Sequence, residues 1–190
     1  MDLTFNPELH EYKLNGLIIP SVTQILQEVL PTNFCISPEA LEAKADIGRK
    51  VHTACEFYDT DSLNLESLHP TLLGYLQGWI RFRKDFKFEP QQIELMLYHP
   101  AYRFAGRVDR IGTGNILIDI KSGMPQKSHA IQTAGYQMLW EGIKDNPKIK
   151  KRMSVYLDKG GDYKIIAHKE ATDKNIFLSA LSIYNYKRRK

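Results

Sequence analysis

The stretch GRVDRIGTGNILIDIK, Gly106 to Lys121, decides how the rest of the chain is read. Val108 and Ile111 precede Gly112-Thr113-Gly114-Asn115, and Ile116, Leu117, Ile118 and Ile120 follow it. Two apolar runs about such a turn signal predict a β-hairpin. Asp109 lies in the first strand, and Asp119 and Lys121 lie in the second. Strand side chains alternate between faces, so Asp119 and Lys121 project together while Ile118 and Ile120 point the other way. A three-residue loop centred on Gly114 sets Asp109 directly opposite Asp119, with Cβ atoms roughly 5 Å apart. Two carboxylates that close repel unless a cation lies between them, and Lys121 alone is badly placed to neutralise both. Oxygen ligands of this kind suit Mg2+ or Mn2+. A metal site with an adjacent lysine is the central expectation.

Composition narrows the classes around that site. With 190 residues, 43% hydrophobic and 25% charged, the chain fits one domain, residues 1–190, with a substantial core. The net charge of +4 permits an anionic partner without demanding one, and Lys187 to Lys190 account for all of it as a basic tail. No apolar run approaches the ~20 residues of a membrane span. The N-terminal residues have neither a basic nor an apolar signal region, so no secretion signal is expected. Cys35 and Cys55 are too few for a disulfide framework and read as reduced thiols of a cytoplasmic protein.

Upstream, residues 1–20 read as an N-terminal β-hairpin about Asn15-Gly16. Ser21-Val22-Thr23-Gln24 forms a capping box for a helix through Leu30, stopped by Pro31. Ser37-Pro38 opens a second helix to Tyr58, across Gly48. His52 and Glu56 share a face of that helix with Gly48, which reads either as a surface pair or as a site where a small residue lets a ligand approach. Pro70 opens a third helix carrying Leu72, Leu73, Leu76, Trp79, Ile80 and Phe82. Residues 91–98 alternate as a strand, with Glu94 as a third carboxylate or a solvent-facing residue.

Downstream, Ser128 caps a helix from His129 to Ile143, on which Gln132, Tyr136, Leu139 and Ile143 form one stripe. Met153–Leu157 and Tyr163–His168 form a second hairpin about Gly160-Gly161. A last helix from about Thr172 carries Ile176, Phe177, Ala180, Leu181 and Tyr184 as a buried stripe. This order predicts an α/β or α+β arrangement, a mixed sheet with helices against its faces.

A lysine one strand step from a metal-bound aspartate can hold an attacking water and stabilise charge developing on a phosphate. Ile120 then needs to contribute only its backbone carbonyl. This is phosphodiester hydrolysis machinery. Its blocks are Gly48-x-x-x-His52-x-x-x-Glu56, Gly106-x-x-Asp109, Asp119-Ile120-Lys121 with Gly123, and Gln132-x-x-x-Tyr136. With these blocks, roughly within residues 45–140, the chain resembles the PD-(D/E)XK nuclease superfamily, in its RecB-like and phage-exonuclease-like branch. His10-x-Tyr12 and Pro20-Ser21-Val22-Thr23 also look like phage members.

The resemblance implies a restriction-endonuclease-like fold, a five-stranded mixed central sheet flanked by helices. It implies that His52, Asp109, Asp119 and the Ile120 carbonyl hold Mg2+ or Mn2+, and that Lys121 is catalytic. Gln132 and Tyr136 would sit at the rim, orienting the lysine or contacting the DNA backbone. Glu56 and Glu94 match the blocks less closely and are left as auxiliary acids with open roles; apart from the resemblance, Arg107, Lys187, Arg188 and Arg189, with Tyr136, are candidate nucleic-acid contacts. The implied setting is cytoplasmic, in a bacterium or a phage-infected host cell. The cysteines of an iron–sulfur cluster are lacking, and so is any Gly-x-x-x-x-Gly-Lys-Ser/Thr phosphate loop, so no nucleotide cofactor is expected. Unwinding would need a helicase or recombination partner.

The expected function is a metal-dependent DNA exonuclease acting on ends or single strands. Tyr98, Tyr102 and Phe104 are available to stack on bases or to pack in the sheet. The alternatives are a structure-selective or restriction-type endonuclease and a non-catalytic nucleic-acid-binding module of the same fold.

Overall fold

The computed structural model describes residues 2–28 and 37–189. Cys35 and the expected helix end at Leu30-Pro31 lie outside the described residues. The central hairpin is β5 (Phe104–Gly112) and β6 (Ile116–Lys121), joined by Thr113-Gly114-Asn115. Gly114 and Asn115 have φ of 76° and 57°, the left-handed backbone that these two residue types tolerate. The pairs run Gly112↔Ile116, Ile111↔Leu117 and Arg110↔Ile118. The next step in that register sets Asp109 against Asp119.

The hairpin forms the middle of a five-stranded sheet completed by β4 (Pro90–His99), β7 (Lys151–Leu157) and β8 (Tyr163–His168), in the order β4–β5–β6–β7–β8. Only β6 and β7 run parallel. A parallel neighbour requires a crossover, which is α4 (Ser128–Glu141). The sheet is therefore mixed and flanked by helices, the α/β class that the sequence predicts.

Helices α2 (Pro38–Asp59) and α3 (Leu73–Phe86) cover one face, packing Val51, Cys55, Trp79 and Phe82 on Ile118, Ile120, Met153 and Val155. Helices α1 (Val22–Gln27), α4 and α5 (Thr172–Lys187) cover the other. There Ile25, Leu139, Phe177 and Leu181 meet Leu97, Phe104, Val108 and Leu117. Both bonds of the Ser21–Gln24 capping box are made. Ser37 caps α2 through the Ala40 amide at 3.2 Å.

The N-terminal segment contains the expected hairpin about Asn15-Gly16, β2 (Glu11–Leu14) and β3 (Leu17–Ile19), which β1 (Leu3–Asn6) extends to a three-stranded antiparallel sheet. It is fastened to the main sheet by the Ala105 amide donating to the Pro20 carbonyl at 2.9 Å. The His10 ring also meets the Thr23 hydroxyl at 3.3 Å, and Gln24 Nε2 donates to the His10 carbonyl at 3.2 Å. The two N-terminal motif fragments thus touch each other.

Four expectations about helices change. Ser128 does not cap α4; it lies inside the first turn, and its hydroxyl donates to Gln126 Oε1 at 3.3 Å. That helix ends at Glu141, which leaves Ile143 38% exposed beyond it. Ile176 is 45% exposed, because α5 buries only the stripe of Phe177, Ala180 and Leu181, and Ile176 is about 100° around the helix from Phe177. Leu73 is likewise exposed at the start of α3.

Strict alternation fails within β4 and β5. Val108 and Ile111, three apart, both join the cluster under α4 and α5, while Arg110 lies over Trp79 on the opposite face. The partner strand breaks at the same level, where Glu94 has φ 47°. The ladder keeps one register on both sides, Ile93↔Arg110 and Leu95↔Val108. The faces therefore swap at Glu94 and Asp109, and the carboxylates of both residues turn toward α2.

Candidate metal centre

The candidate side chains come from four elements. α2 brings His52, β4 brings Glu94 and β5 brings Asp109; β6 brings Asp119, the Ile120 carbonyl and Lys121. His52 Nε2 lies 2.9 Å from the Ile120 carbonyl oxygen. His52 Nδ1 lies 3.5 Å from Glu94 Oε1 and 3.6 Å from Asp109 Oδ2. The Asp109 carboxylate also accepts from the Ile120 amide at 2.7 Å. On the α4 side of β6, Lys121 Nζ pairs with Asp119 Oδ1 at 2.8 Å and donates to Gln132 Oε1 at 3.0 Å. Gln132 Nε2 in turn donates to the Tyr136 hydroxyl at 2.9 Å.

Gly106 explains how α4 reaches this position. A Cβ there would lie 2.9 Å from Leu139 and 3.2 Å from both Tyr136 and Val22. Its absence lets the helix lie close on β5 and present Gln132 to the lysine.

The site differs from expectation in which residues converge. The ligand atoms within 4.8 Å of one another belong to His52, Glu94 and Asp109. Asp119 stands beside this group rather than within it, drawn to Lys121. Glu94, left open by the sequence, faces inward. Glu56 lies outside the group and makes no ion pair among the described residues. Tyr136 is buried, not at a rim, and is linked to the lysine through Gln132. Lys187 and Arg188 pair with Glu28 at 3.0 and 2.7 Å, and Arg189 lies 6.0 Å from the Tyr186 ring centroid. Arg107 lies over the Phe5 ring at 5.1 Å, with its Nε buried and unpartnered. Phe104 is core, Tyr98 packs against the N-terminal sheet, and only Tyr102 is exposed.

Gly48 does not mark a close approach. An added Cβ would meet only Ser122 Oγ at an ordinary 3.6 Å. Gly48→Ala is therefore expected to stabilise the protein by about 1 kcal/mol through helix propensity. That corresponds to a rise in Tm of roughly 2–4 °C for a chain of this size, measured by thermal unfolding; a fall would show that the helix there is held away from ordinary geometry.

The electrostatics are those of an acidic pocket short of cations. Asp109 is pushed up to about 6 by burial, which His52 partly offsets, and by repulsion from Asp119 and Glu94. Burial disfavours the His52 imidazolium, but Asp109 and Glu94 outweigh it and raise its pKa to about 9. Burial likewise opposes the Lys121 charge, and Asp119 and Asp109 restore it, leaving the pKa above that of an ordinary lysine. Asp119 Oδ1 is buried with no hydrogen bond; its 2.8 Å contact with Lys121 has the distance of an ion pair without hydrogen-bond geometry. A buried carboxylate oxygen left in this state, beside two further carboxylates and an imidazole, fits a divalent cation with oxygen and nitrogen ligands.

Sequence reasoning missed two supports. Arg110 is fully buried and donates to Asp59 Oδ2 at 2.6 Å, to Glu94 Oε1 at 2.9 Å and to the Asp109 carbonyl. Asp59, the last residue of α2, is also held by Arg83 at 2.8 Å and by the Trp79 indole at 2.9 Å. The available signal was a lone arginine between buried strand residues. Ser154 and His168, behind Asp119, carried no signal in isolation.

No family model matches the chain, and no curated protein matches it in sequence. Among solved structures, a protein named "Putative exonuclease" from Eubacterium rectale superposes with a TM-score of 0.53 at 11% identity. The match covers 74% of this chain and 65% of that one. An alkaline exonuclease from Laribacter hongkongensis matches at a TM-score of 0.36 and 15% identity, over 88% of this chain and 91% of that one. At these identities the first likeness shows a shared fold, and the second, more distant in shape, carries no argument.

Proposed function

We propose that this chain is one PD-(D/E)XK nuclease-like domain that hydrolyses DNA phosphodiester bonds with a divalent metal, as an exonuclease acting on ends or single strands. The observation that carries the reading is the meeting of Asp109, Asp119 and Lys121 where β5 and β6 part, with Lys121 Nζ 2.8 Å from Asp119. His52, Glu94 and Asp109 would hold Mg2+ or Mn2+, with the unbonded Asp119 Oδ1 beside them as a further ligand and the Ile120 carbonyl in reach. Such an ion supplies a more acidic water and a polarised phosphoryl oxygen. Lys121 carries the rest. Its ammonium, steered by Gln132 and Tyr136, donates to the attacking water and to the phosphate oxygen on which charge develops. The exonuclease name of the Eubacterium rectale protein agrees with this reading.

The test is digestion of matched single-stranded, duplex and closed circular DNA with Mg2+ or Mn2+. Linear substrates should disappear and the circle persist; loss of the circle would make the protein an endonuclease. EDTA should stop cleavage and excess Mn2+ restore it, and activity that survives chelation would remove the metal from the mechanism. Binding of all substrates without cleavage under every metal would leave only a nucleic-acid-binding module.

A further inference from the structure

We propose that Ser154 and His168 are positioning residues for Asp119, pinning one carboxylate oxygen so that the other is presented to the cation. The inference rests on the metal-centre reading above and extends it to residues outside every motif.

The parallel register of β6 and β7 sets Asp119 directly beside Ser154. Both are 0% exposed. Ser154 Oγ lies 3.1 Å from Asp119 Oδ2 and 2.9 Å from His168 Nε2, across the antiparallel pair β7–β8. The direction of the chain follows from proton counting. A carboxylate only accepts, so the single serine proton goes to Asp119. The serine oxygen then has lone pairs to offer, and His168 donates its Nε2–H to it. His168 is held in one tautomer, and Asp119 Oδ2 is committed to Ser154. The remaining oxygen, Oδ1, has no hydrogen bond and faces Lys121. A serine and a histidine placed for packing alone would have no need of this order, because each could satisfy the other without the aspartate. Partners behind a ligand typically change metal affinity by about 10–100-fold.

His168 is half-buried and lines a cleft of about 890 Å3 with Lys169, Arg152 and Lys174, so its substitution leaves the core intact. The test is calorimetric titration of the full chain with Mn2+, alongside thermal unfolding of each variant. Ser154→Ala and His168→Ala are each expected to weaken Mn2+ binding by about tenfold. Ser154→Thr, which keeps the hydroxyl, and His168→Gln, whose amide N–H replaces the Nε2–H, should recover most of it. If an alanine variant does not fold, His168→Gln against His168→Leu decides, since the two fill similar space and differ in the donor. Unchanged affinity across the variants, or equal affinity for the Gln and Leu forms, overturns the relay and leaves the metal centre standing. Failure of the wild-type protein to bind Mn2+ overturns the metal centre and the relay with it.

Discussion

Lys121→Ala is expected to lower the cleavage rate by about 10²–10⁴-fold, the usual range for losing a positioned proton donor or charge stabiliser. Its effect on stability separates catalysis from folding. The pocket sets Glu94, Asp109 and Asp119 against Arg110 and Lys121, with His52 as the titratable remainder. Removing the ammonium leaves the buried Asp119 carboxylate without its compensating charge. The metal-free Tm should therefore fall, and saturating Mn2+ should recover most of the loss through binding to the folded state. Asp119→Asn removes a charge instead, so it should abolish cleavage without lowering the metal-free Tm. Single-turnover digestion and thermal unfolding with and without Mn2+ measure both. Full activity in Lys121→Ala would end the catalytic assignment.

Arg110→Met should have the largest effect on stability. Arg110 and the Asp59 carboxylate are both 0% exposed, and breaking a buried pair from one side costs about 3–5 kcal/mol. Asp59 keeps Arg83 and Trp79, so the low end, about 3 kcal/mol, is expected, or roughly 6–12 °C in Tm. Glu94 also loses its 2.9 Å partner, so metal affinity should change in the same variant. A Tm within about 2 °C of wild type would mean that the network relaxes around the loss.

The legible parts of the fold were those written in local patterns. The Gly114-Asn115 turn fixed the hairpin register, and with it Asp109 against Asp119, because a positive φ at two adjacent residues leaves few alternatives. The capping box, the proline at the start of α2 and the second hairpin about Gly160-Gly161 were legible for the same reason. What escaped depended on contacts between distant segments. Glu94 and His52 meet only because the strand faces swap, and alternation predicts no swap. Ser154 is an ordinary strand serine until β7 is known to lie parallel to β6. The Lys187–Arg188 tail looked free because its partner, Glu28, is 159 residues from Lys187.

The left-handed backbone at Glu94 links the shape of the sheet to what its edge can grasp. With a regular ladder throughout, Asp109 would follow Ile111 toward α4, away from the histidine supplied by α2. The bend turns the Glu94 and Asp109 carboxylates to the same side, where His52 Nδ1 meets them at 3.5 and 3.6 Å. A one-residue insertion in β4 ahead of position 94 would shift that bend along the neighbouring strand, separating the acids while every helix and loop stayed intact.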